Sequence, residues 1–168
     1  VFGFLSGIST GQLLAGIYLM ISIVLLLRFG YQLVSLFYLF RGKKERLANG
    51  ILCFNHDKEI SPFSFFRCLV INRSLFNNTQ YAQIIEHEKM HIQGWHSVDI
   101  LLAELANILL WMNPMLKAFK QSIKLNLEYI ADEGALGTGI DRKSYQICLL
   151  QCLKPSPPAW DNLFNSSK

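Results

Sequence analysis

Charged residues are scarce in this chain. Asp, Glu, Lys and Arg make up only 17% of the 168 residues, whereas 51% are hydrophobic and the mean hydropathy is positive. Such a composition is unusual for a soluble domain and favours contact with a membrane. The net charge of +4 is mild, and the sequence has no arginine-rich stripe and no alternation of basic and aromatic residues. Direct binding to nucleic acid is therefore not expected.

Cysteine pairs of the kind that hold zinc are also missing. The four cysteines, Cys53, Cys68, Cys148 and Cys152, form no CxxC pair and no tight disulfide framework. Zinc sites built from cysteine normally use CxxC pairs, so a cysteine zinc site is not expected here. Free buried thiols in a reducing compartment are the simpler interpretation.

The first 40 residues contain a single charged residue, Arg28. The uncharged run over residues 11–27 is nearly as long as the roughly 20 residues that cross a bilayer. Its apolar character continues to residue 40, which predicts a long tilted transmembrane helix with a cytoplasmic extension. Arg28 would reach the membrane surface with its long side chain. Because the chain opens on Val1 and stops without a closing signal, we expect further helices and domains outside it.

A basic cluster over residues 41–46 follows this apolar segment and contains one acidic residue, Glu45. Basic residues beside a membrane-spanning helix favour the cytoplasmic side. Residues 50–73 then contain short aromatic and β-branched runs separated by Pro62, which predict two or three strands. A helical pattern occupies three later segments: from Gln80 to Asn113-Pro114, from there to about Leu136, and from an Asp141 cap to Leu153. These patterns predict a mainly α, α+β fold with a small β-sheet.

Two histidines four residues apart, His87 and His91, enclose Glu88 in the string HEKMH. On a helix both imidazoles share one face and can bind one ion. A carboxylate next to the first of them can accept a proton from the attacking water. This is the H-E-x-x-H pattern of zinc peptidases, and we predict one Zn²⁺ ion with Glu88 as the catalytic base. A coincidental match on a polar helix is the alternative.

Three residues compete for the third ligand position: His96, Glu104 and Glu128. On a continuing helix His96 lies about 140° away from the face of His91, and Glu104 lies about 20 Å further along. Glu128 can return to the histidines if Asn113-Pro114 turns the chain into an antiparallel helical hairpin. Glu128 is therefore the preferred ligand.

The hairpin hypothesis has further consequences for the acidic residues. Asp132 lies one turn after Glu128, where one of the two can bind the metal and the other can orient a ligand histidine. Asp99 lies two turns after His91 and is a candidate hydrogen-bond partner for His91 or His96. The alternatives are a solvated acidic face for Glu128 with Asp132, and an ordinary buried polar contact for Asp99. The hairpin itself would pack against, or dip into, the inner leaflet.

Taken together, four segments resemble the BlaR/MecR family of integral-membrane zinc metallopeptidases, the antirepressor and sensor-transducer proteins of β-lactam resistance, in a Bacteroidetes-like branch. The segments are SPFSFF (61–66), IIEHEKMHIQGWHSVDILLAEL (84–105), WMNP (111–114) and LNLEYIADEGAL (125–136). The resemblance implies a glutamate zincin in which His87, His91 and Glu128 bind zinc. It also implies that Asp132, Asp99 and His96 lie around those ligands. No penicillin-binding sensor domain is present, so the signal is left open.

The resemblance also implies a substrate and a location. SPFSFF would be an edge strand on which a substrate peptide lies, with Ser64, Phe65 and Phe66 contacting it. The alternative is an ordinary hydrophobic strand. The substrate would be a peptide or protein, a repressor or the chain itself, and lipid would be the other partner. The protein would be multi-pass in the bacterial cytoplasmic membrane with its catalytic domain facing the cytoplasm. We predict three parts: a membrane helix at 1–40, a metallopeptidase domain at 41–153 and a linker-like tail at 154–168.

Two other functions fit the same residues. A membrane quality-control peptidase of the HtpX or CAAX-protease type shares the ligand pattern, and would cleave many misfolded membrane proteins rather than a few regulatory substrates. A non-catalytic signalling scaffold would use zinc structurally or not at all. Glu88 counts against the scaffold, because a structural site needs no base beside an open position.

Overall fold

The computed structural model of the protein describes residues 9–41, 43–47, 50–55 and 60–152. The tail predicted at 154–168 lies outside these residues, so the predicted division into three parts stays a prediction. The described residues form a mainly helical fold with one small mixed sheet. The predicted α+β class is confirmed.

The first helix, α1 (Thr10–Leu39), contains 30 residues and would extend about 45 Å. Ser9 caps it: its hydroxyl accepts from the Gln12 backbone, and the Gln12 side chain accepts from the Ser9 backbone. The helix is long and apolar enough to cross a membrane, and only 11% of its most apolar window is buried. The predicted long apolar helix is therefore present, and within the part of the chain that the structure describes most of its side chains are exposed.

Four short strands form the sheet in the order β1-β2-β4-β3. They are β1 (Lys43–Arg46), β2 (Leu52–Asn55), β3 (Phe63–Phe65) and β4 (Cys68–Ile71). The pair β2–β4 is parallel, and the other two pairs are antiparallel. Two or three strands were expected within 50–73, and β2, β3 and β4 lie there. Strand β1 was not expected, because its sequence, KKER, has no β-branched or aromatic residue and forms a strand by pairing with β2.

The two faces of the sheet pack against different helices because side chains alternate along a strand. Leu69 and Ile71 of β4 pack with Ile84 and Cys148 on one face. Val70, between them, points to the other face and packs with Leu36 of α1. The sheet therefore lies between the C-terminal end of α1 and the helices that follow it.

Those helices are α2 (Asn78–Gln93), α3 (His96–Leu109), α4 (Met115–Leu136) and α5 (Arg142–Cys152). The expectation that one helix continues past His96 is wrong. The chain turns at Gly94 and Trp95, and Trp95 has a left-handed φ of 56°, so a new helix begins at His96. As predicted, α4 follows Pro114, and the Asp141 carboxylate caps α5 by accepting from the Ser144 backbone at 2.9 Å.

Helices α3 and α4 form the expected hairpin. Glu104 of α3 and Lys120 of α4 make an ion pair across it, with Oε2 and Nζ 2.9 Å apart. Both side chains are close to nine-tenths buried. The return of α4 carries Glu128 back to α2, where the two histidines of the HEKMH string lie.

Candidate metal centre

Helix α2 presents His87 and His91 on one face, as the four-residue spacing requires. Their ring centroids are 4.9 Å apart, and their Nε2 atoms are separated by 3.2 Å. His87 is 8% exposed. The two Nε2 lone pairs are thus brought to one point at the surface of the helix.

Glu128 reaches the same point from α4. Its Oε2 lies 3.5 Å from Nε2 of His87 and 3.8 Å from Nε2 of His91. The two helices approach closely at Gly134, where a Cβ would meet Sδ of Met90 at 2.7 Å. The side chain of Glu128 is 56% exposed, so the cluster opens to the surface on its side.

These three residues can hold a metal ion. Tetrahedral ligands at zinc bond lengths of about 2.0–2.1 Å lie roughly 3.4 Å from one another. The three observed separations, 3.2, 3.5 and 3.8 Å, are close to that value. Two imidazoles with one carboxylate are also donors that suit zinc, so the residues fit the predicted ion.

The electrostatics of the cluster favour a cation. Partial desolvation of Glu128 opposes its ionisation, but contacts with His87 and His91 outweigh this effect and hold its pKa well below the usual range. Burial of His87 opposes protonation of its ring, but hydrogen bonding to Glu128 and the charges of Glu88 and Asp132 raise its pKa. The cluster therefore contains an ionised carboxylate, which attracts a cation, beside the His87 ring.

The outward nitrogen of His87 contacts Tyr145 and Asp132. Its Nδ1 lies 2.6 Å from the Tyr145 hydroxyl and 3.1 Å from Oδ1 of Asp132. Tyr145 in turn donates to Oδ1 of Asp132 at 2.7 Å. Burial and the Asp132 carboxylate raise the pKa of Tyr145, which keeps the phenol protonated. These contacts favour the tautomer with the proton on Nδ1, which leaves Nε2 free to bind an ion.

The outward nitrogen of His91 contacts His96. The two Nδ1 atoms are 2.8 Å apart. The turn at Trp95 brings His96 back beside His91, and Gly94 leaves room for its ring, since a Cβ there would meet Cδ2 of His96 at 2.7 Å. Burial and the neighbouring His91 lower the pKa of His96, although the charge of Asp99 acts in the opposite direction. His96 thus lies behind His91, outside the triangle of ligand atoms.

Residues 66–164 match the model of one protein family, described as Peptidase_M56, BlaR1 peptidase. The match covers more than half of the chain. The chain belongs to the BlaR1 peptidase M56 family. No curated protein matches it. The expected family is confirmed, and the Bacteroidetes-like branch stays a prediction.

M56 peptidases are metallopeptidases, and this M56 chain has a histidine–histidine–glutamate cluster that could bind the metal. The family and the apolar helix α1 also indicate association with a membrane. The number of spans and the side on which the catalytic part lies stay predictions.

The other acidic residues predicted for the site, Glu88, Glu104 and Asp99, have three different environments. Glu88 is 7% exposed and lies near enough to His87 for its charge to raise the pKa of that ring. Glu104 forms its ion pair with Lys120 within the α3–α4 hairpin. Asp99 lines a cavity of about 420 Å³ between α3 and α4 together with apolar side chains of both helices.

The predicted substrate strand, β3, lies at an edge of the sheet of this M56 chain and pairs with β4. The backbone N–H of Phe66 donates to Oγ of Ser97 at 2.9 Å, and its ring meets Trp95 edge-on at 6.4 Å. Strand β3 is thereby attached to the junction of α2 and α3, beside His96. Phe65 stacks on Phe40, the residue that follows α1, whereas Phe66 is partly exposed.

Tyr145 is the site residue that sequence reasoning missed. It is 2% exposed and lies on α5, 58 residues from His87. It belongs to no motif near the HEKMH string. Its one signal is its position one turn after the Asp141 cap in a helix that begins soon after LNLEYIADEGAL.

Proposed function

We propose that this M56 protein is a zinc-dependent endopeptidase that cleaves a few regulatory protein substrates at the cytoplasmic face of the membrane. The observation that carries the proposal is the triangle of Nε2 of His87, Nε2 of His91 and Oε2 of Glu128, with Glu88 next to the first ligand in the chain. These three residues would be the zinc ligands and Glu88 the catalytic base. The cofactor is one Zn²⁺ ion.

A zinc ion held there would act as a Lewis acid, polarising the scissile carbonyl and making water easier to deprotonate. Glu88 accepts the proton of the attacking water and then delivers it to the nitrogen of the leaving amine. Because Glu88 is buried, this proton transfer takes place away from bulk water. Tyr145 and Asp132 hold His87, and His96 holds His91, so both rings keep their Nε2 atoms turned inward.

A substrate peptide would add to β3 as a further strand. Edge strands offer unpaired backbone groups that can bind an extended peptide. Ser64, Phe65 and Phe66 would supply this surface, and the contact of Phe66 with Ser97 connects it to the histidine-bearing helices. Phe65 packs against Phe37 of α1 and Phe40 after it, which holds the strand, and the partly exposed Phe66 is the side chain available to the peptide.

Two observations support the regulatory role and the cytoplasmic side. The description of the matched family names BlaR1, which supports the regulatory role. The basic cluster at residues 41–46 follows α1 in the chain. Basic residues beside a membrane helix favour the cytoplasmic side. Cleavage would therefore act on cytoplasmic proteins or on loops near the membrane.

The test is the pair Glu88→Gln and Glu86→Gln, assayed for peptide cleavage and zinc content in the purified full-length protein. The amide of the Glu88→Gln variant cannot accept a proton, so this variant should keep its zinc and lose cleavage. Glu86 lies on the same helix and pairs with Lys89, with Oε2 and Nζ 3.0 Å apart, so its variant should behave like the wild type. Wild-type cleavage by Glu88→Gln would remove Glu88 from the mechanism. Absence of cleavage by the wild type on any peptide or membrane protein would overturn the proposed activity.

A further inference from the structure

The tip of the hairpin, residues 109–119, lies against the first third of α1, at the middle of the apolar run 11–27. The Tyr18 hydroxyl donates to the carbonyl of Leu109, and the Tyr18 ring stacks on Trp111 with a centroid separation of 5.8 Å. Tyr18 is ten residues before Arg28, the nearest charged residue of α1, which corresponds to about 15 Å along the helix. With Arg28 at the membrane surface, Tyr18 lies about 15 Å deep, which is about half of a 30 Å hydrocarbon layer.

The other end of the hairpin lies beside the other end of α1. Phe65, whose ring is 6.4 Å from Phe37 of α1, also contacts Phe66, which meets Trp95 at the start of α3. From Tyr18 to Phe37 α1 advances about 28 Å, and from Trp95 to Leu109 the chain advances about 21 Å. The hairpin therefore runs beside α1 from the apolar run that contains Tyr18 to the C-terminal end of the helix.

The surface of the tip is apolar and exposed. Its large hydrophobic side chains are each more than half exposed, and they are Leu109, Leu110, Met112, Met115 and Phe119. Lys117 is the single charged residue between 105 and 119. Its long aliphatic stem can carry the ammonium group towards lipid headgroups while the helix stays among acyl chains. A contiguous apolar surface of this kind needs a partner.

Several backbone N–H groups of the turn are paired within the protein. The N–H groups of Leu110 and Asn113 donate to the carbonyls of Ala106 and Leu110 at 2.9 and 2.8 Å. The N–H of Met115 donates to Oδ1 of Asn113 at 3.0 Å, and Pro114 has no N–H to satisfy. A turn in water has no need of such pairing, whereas a turn in hydrocarbon does.

We propose that residues 109–119 enter the hydrocarbon region of the bilayer that α1 crosses, so that α3 and α4 form a re-entrant hairpin whose tip is covered by lipid acyl chains. The exposed apolar side chains of the tip and of α1 would then all contact lipid acyl chains. The Glu104–Lys120 pair lies about 8 Å from the tip along α3, and its mutual neutralisation permits that depth. His96 lies about 20 Å from the tip, which places the metal cluster just outside the hydrocarbon. The inference does not depend on the proposed enzymatic activity.

The test is the depth of a spin label in the full-length protein reconstituted in phosphatidylcholine and phosphatidylglycerol vesicles. Single cysteines replace Met112, Val24 of α1 and the exposed Lys143 of α5 in a cysteine-free background. Accessibility to oxygen, which concentrates in hydrocarbon, is compared with accessibility to a water-soluble nickel chelate. The label at 112 should resemble that at 24, with oxygen access exceeding nickel access several-fold, and the label at 143 should show the reverse.

Two results would overturn the proposal. Nickel access at 112 equal to that at 143 would place the tip in water. Protection of 112 from both reagents, with spin–spin broadening between chains, would show that a second copy covers the tip.

Native tryptophan provides a measurement without the cysteine-free background. Brominated lipids should quench the wild-type protein more than the Trp111→Phe variant, whereas equal quenching of the two proteins would count against insertion.

Discussion

The contacts of His87 with Tyr145 and Asp132 predict how metal affinity depends on residues that never touch the metal. Nδ1 of His87 has two available acceptors, at 2.6 and 3.1 Å, so removing either one leaves it the other. The shorter distance favours Tyr145, but Asp132 carries a charge, and charge-assisted hydrogen bonds are roughly twice as strong as neutral ones. Asp132 also accepts from Tyr145, so it orients both side chains.

The magnitudes follow from these differences. Asp132→Ala should weaken zinc binding by about 10–100-fold, as the loss of such partners generally does. Tyr145→Phe removes one neutral hydrogen bond, worth about 0.5–1.5 kcal/mol, and should weaken binding by about 2–10-fold. The double variant should lose more than the product of the two single losses, because only then does Nδ1 have no acceptor.

Zinc affinity can be measured by competition with a chromophoric chelator at constant pH, with circular dichroism as a check on folding. Tyr129→Phe is the matched control, because Tyr129 is 67% exposed and loses the same hydroxyl. It should bind zinc like the wild type. A loss in Tyr145→Phe as large as that in Asp132→Ala would refute the ranking by charge. Single losses that simply multiply in the double variant would refute the shared hydrogen bond.

Other variants test the ligand set and the topology. Glu128→Ala should weaken zinc binding more than either variant of the outer partners, and retention of full affinity would remove Glu128 from the ligand set. Glu104→Ala should leave affinity nearly unchanged while lowering the thermal stability of the protein, because it strands the buried charge of Lys120 at a cost of about 3–5 kcal/mol. An unchanged melting temperature, or the weakest zinc binding of the set, would contradict this. Cysteines at Glu45 and Asn126 should both be protected from an impermeant thiol reagent on intact cells. Labelling of either one would contradict a cytoplasmic catalytic part.

Local spacing was enough to predict the first part of the candidate site. His87 and His91 share a helical face by the geometry of any α-helix, so their convergence required no tertiary information. The proximity of Glu128 required one assumption, that Asn113-Pro114 turns the chain back, and the α3–α4 hairpin has that form. The length and apolar composition of α1 likewise follow directly from its sequence.

Features that depend on tertiary contact were not predictable. A left-handed backbone conformation is energetically unfavourable for a tryptophan, and no residue near Trp95 in the sequence predicts it. The break it makes puts His96 behind His91, whereas a continuous helix would have turned it about 140° away. Strand β1 forms because it pairs with the edge of β2. Tyr145 contacts His87 because α5 packs against α2.

X-ray absorption at the zinc edge of the purified full-length protein would examine the proposed centre itself. The proposal predicts one zinc per chain, bound by two imidazole nitrogens at about 2.0–2.1 Å and carboxylate oxygen at about 2.0–2.2 Å. The imidazole signal should be lost in a variant with both His87 and His91 replaced by alanine. A sulfur shell at about 2.3 Å would place the ion on cysteine instead, and an unchanged spectrum in that variant would place it elsewhere in the protein. Either result would contradict the assignment of His87, His91 and Glu128.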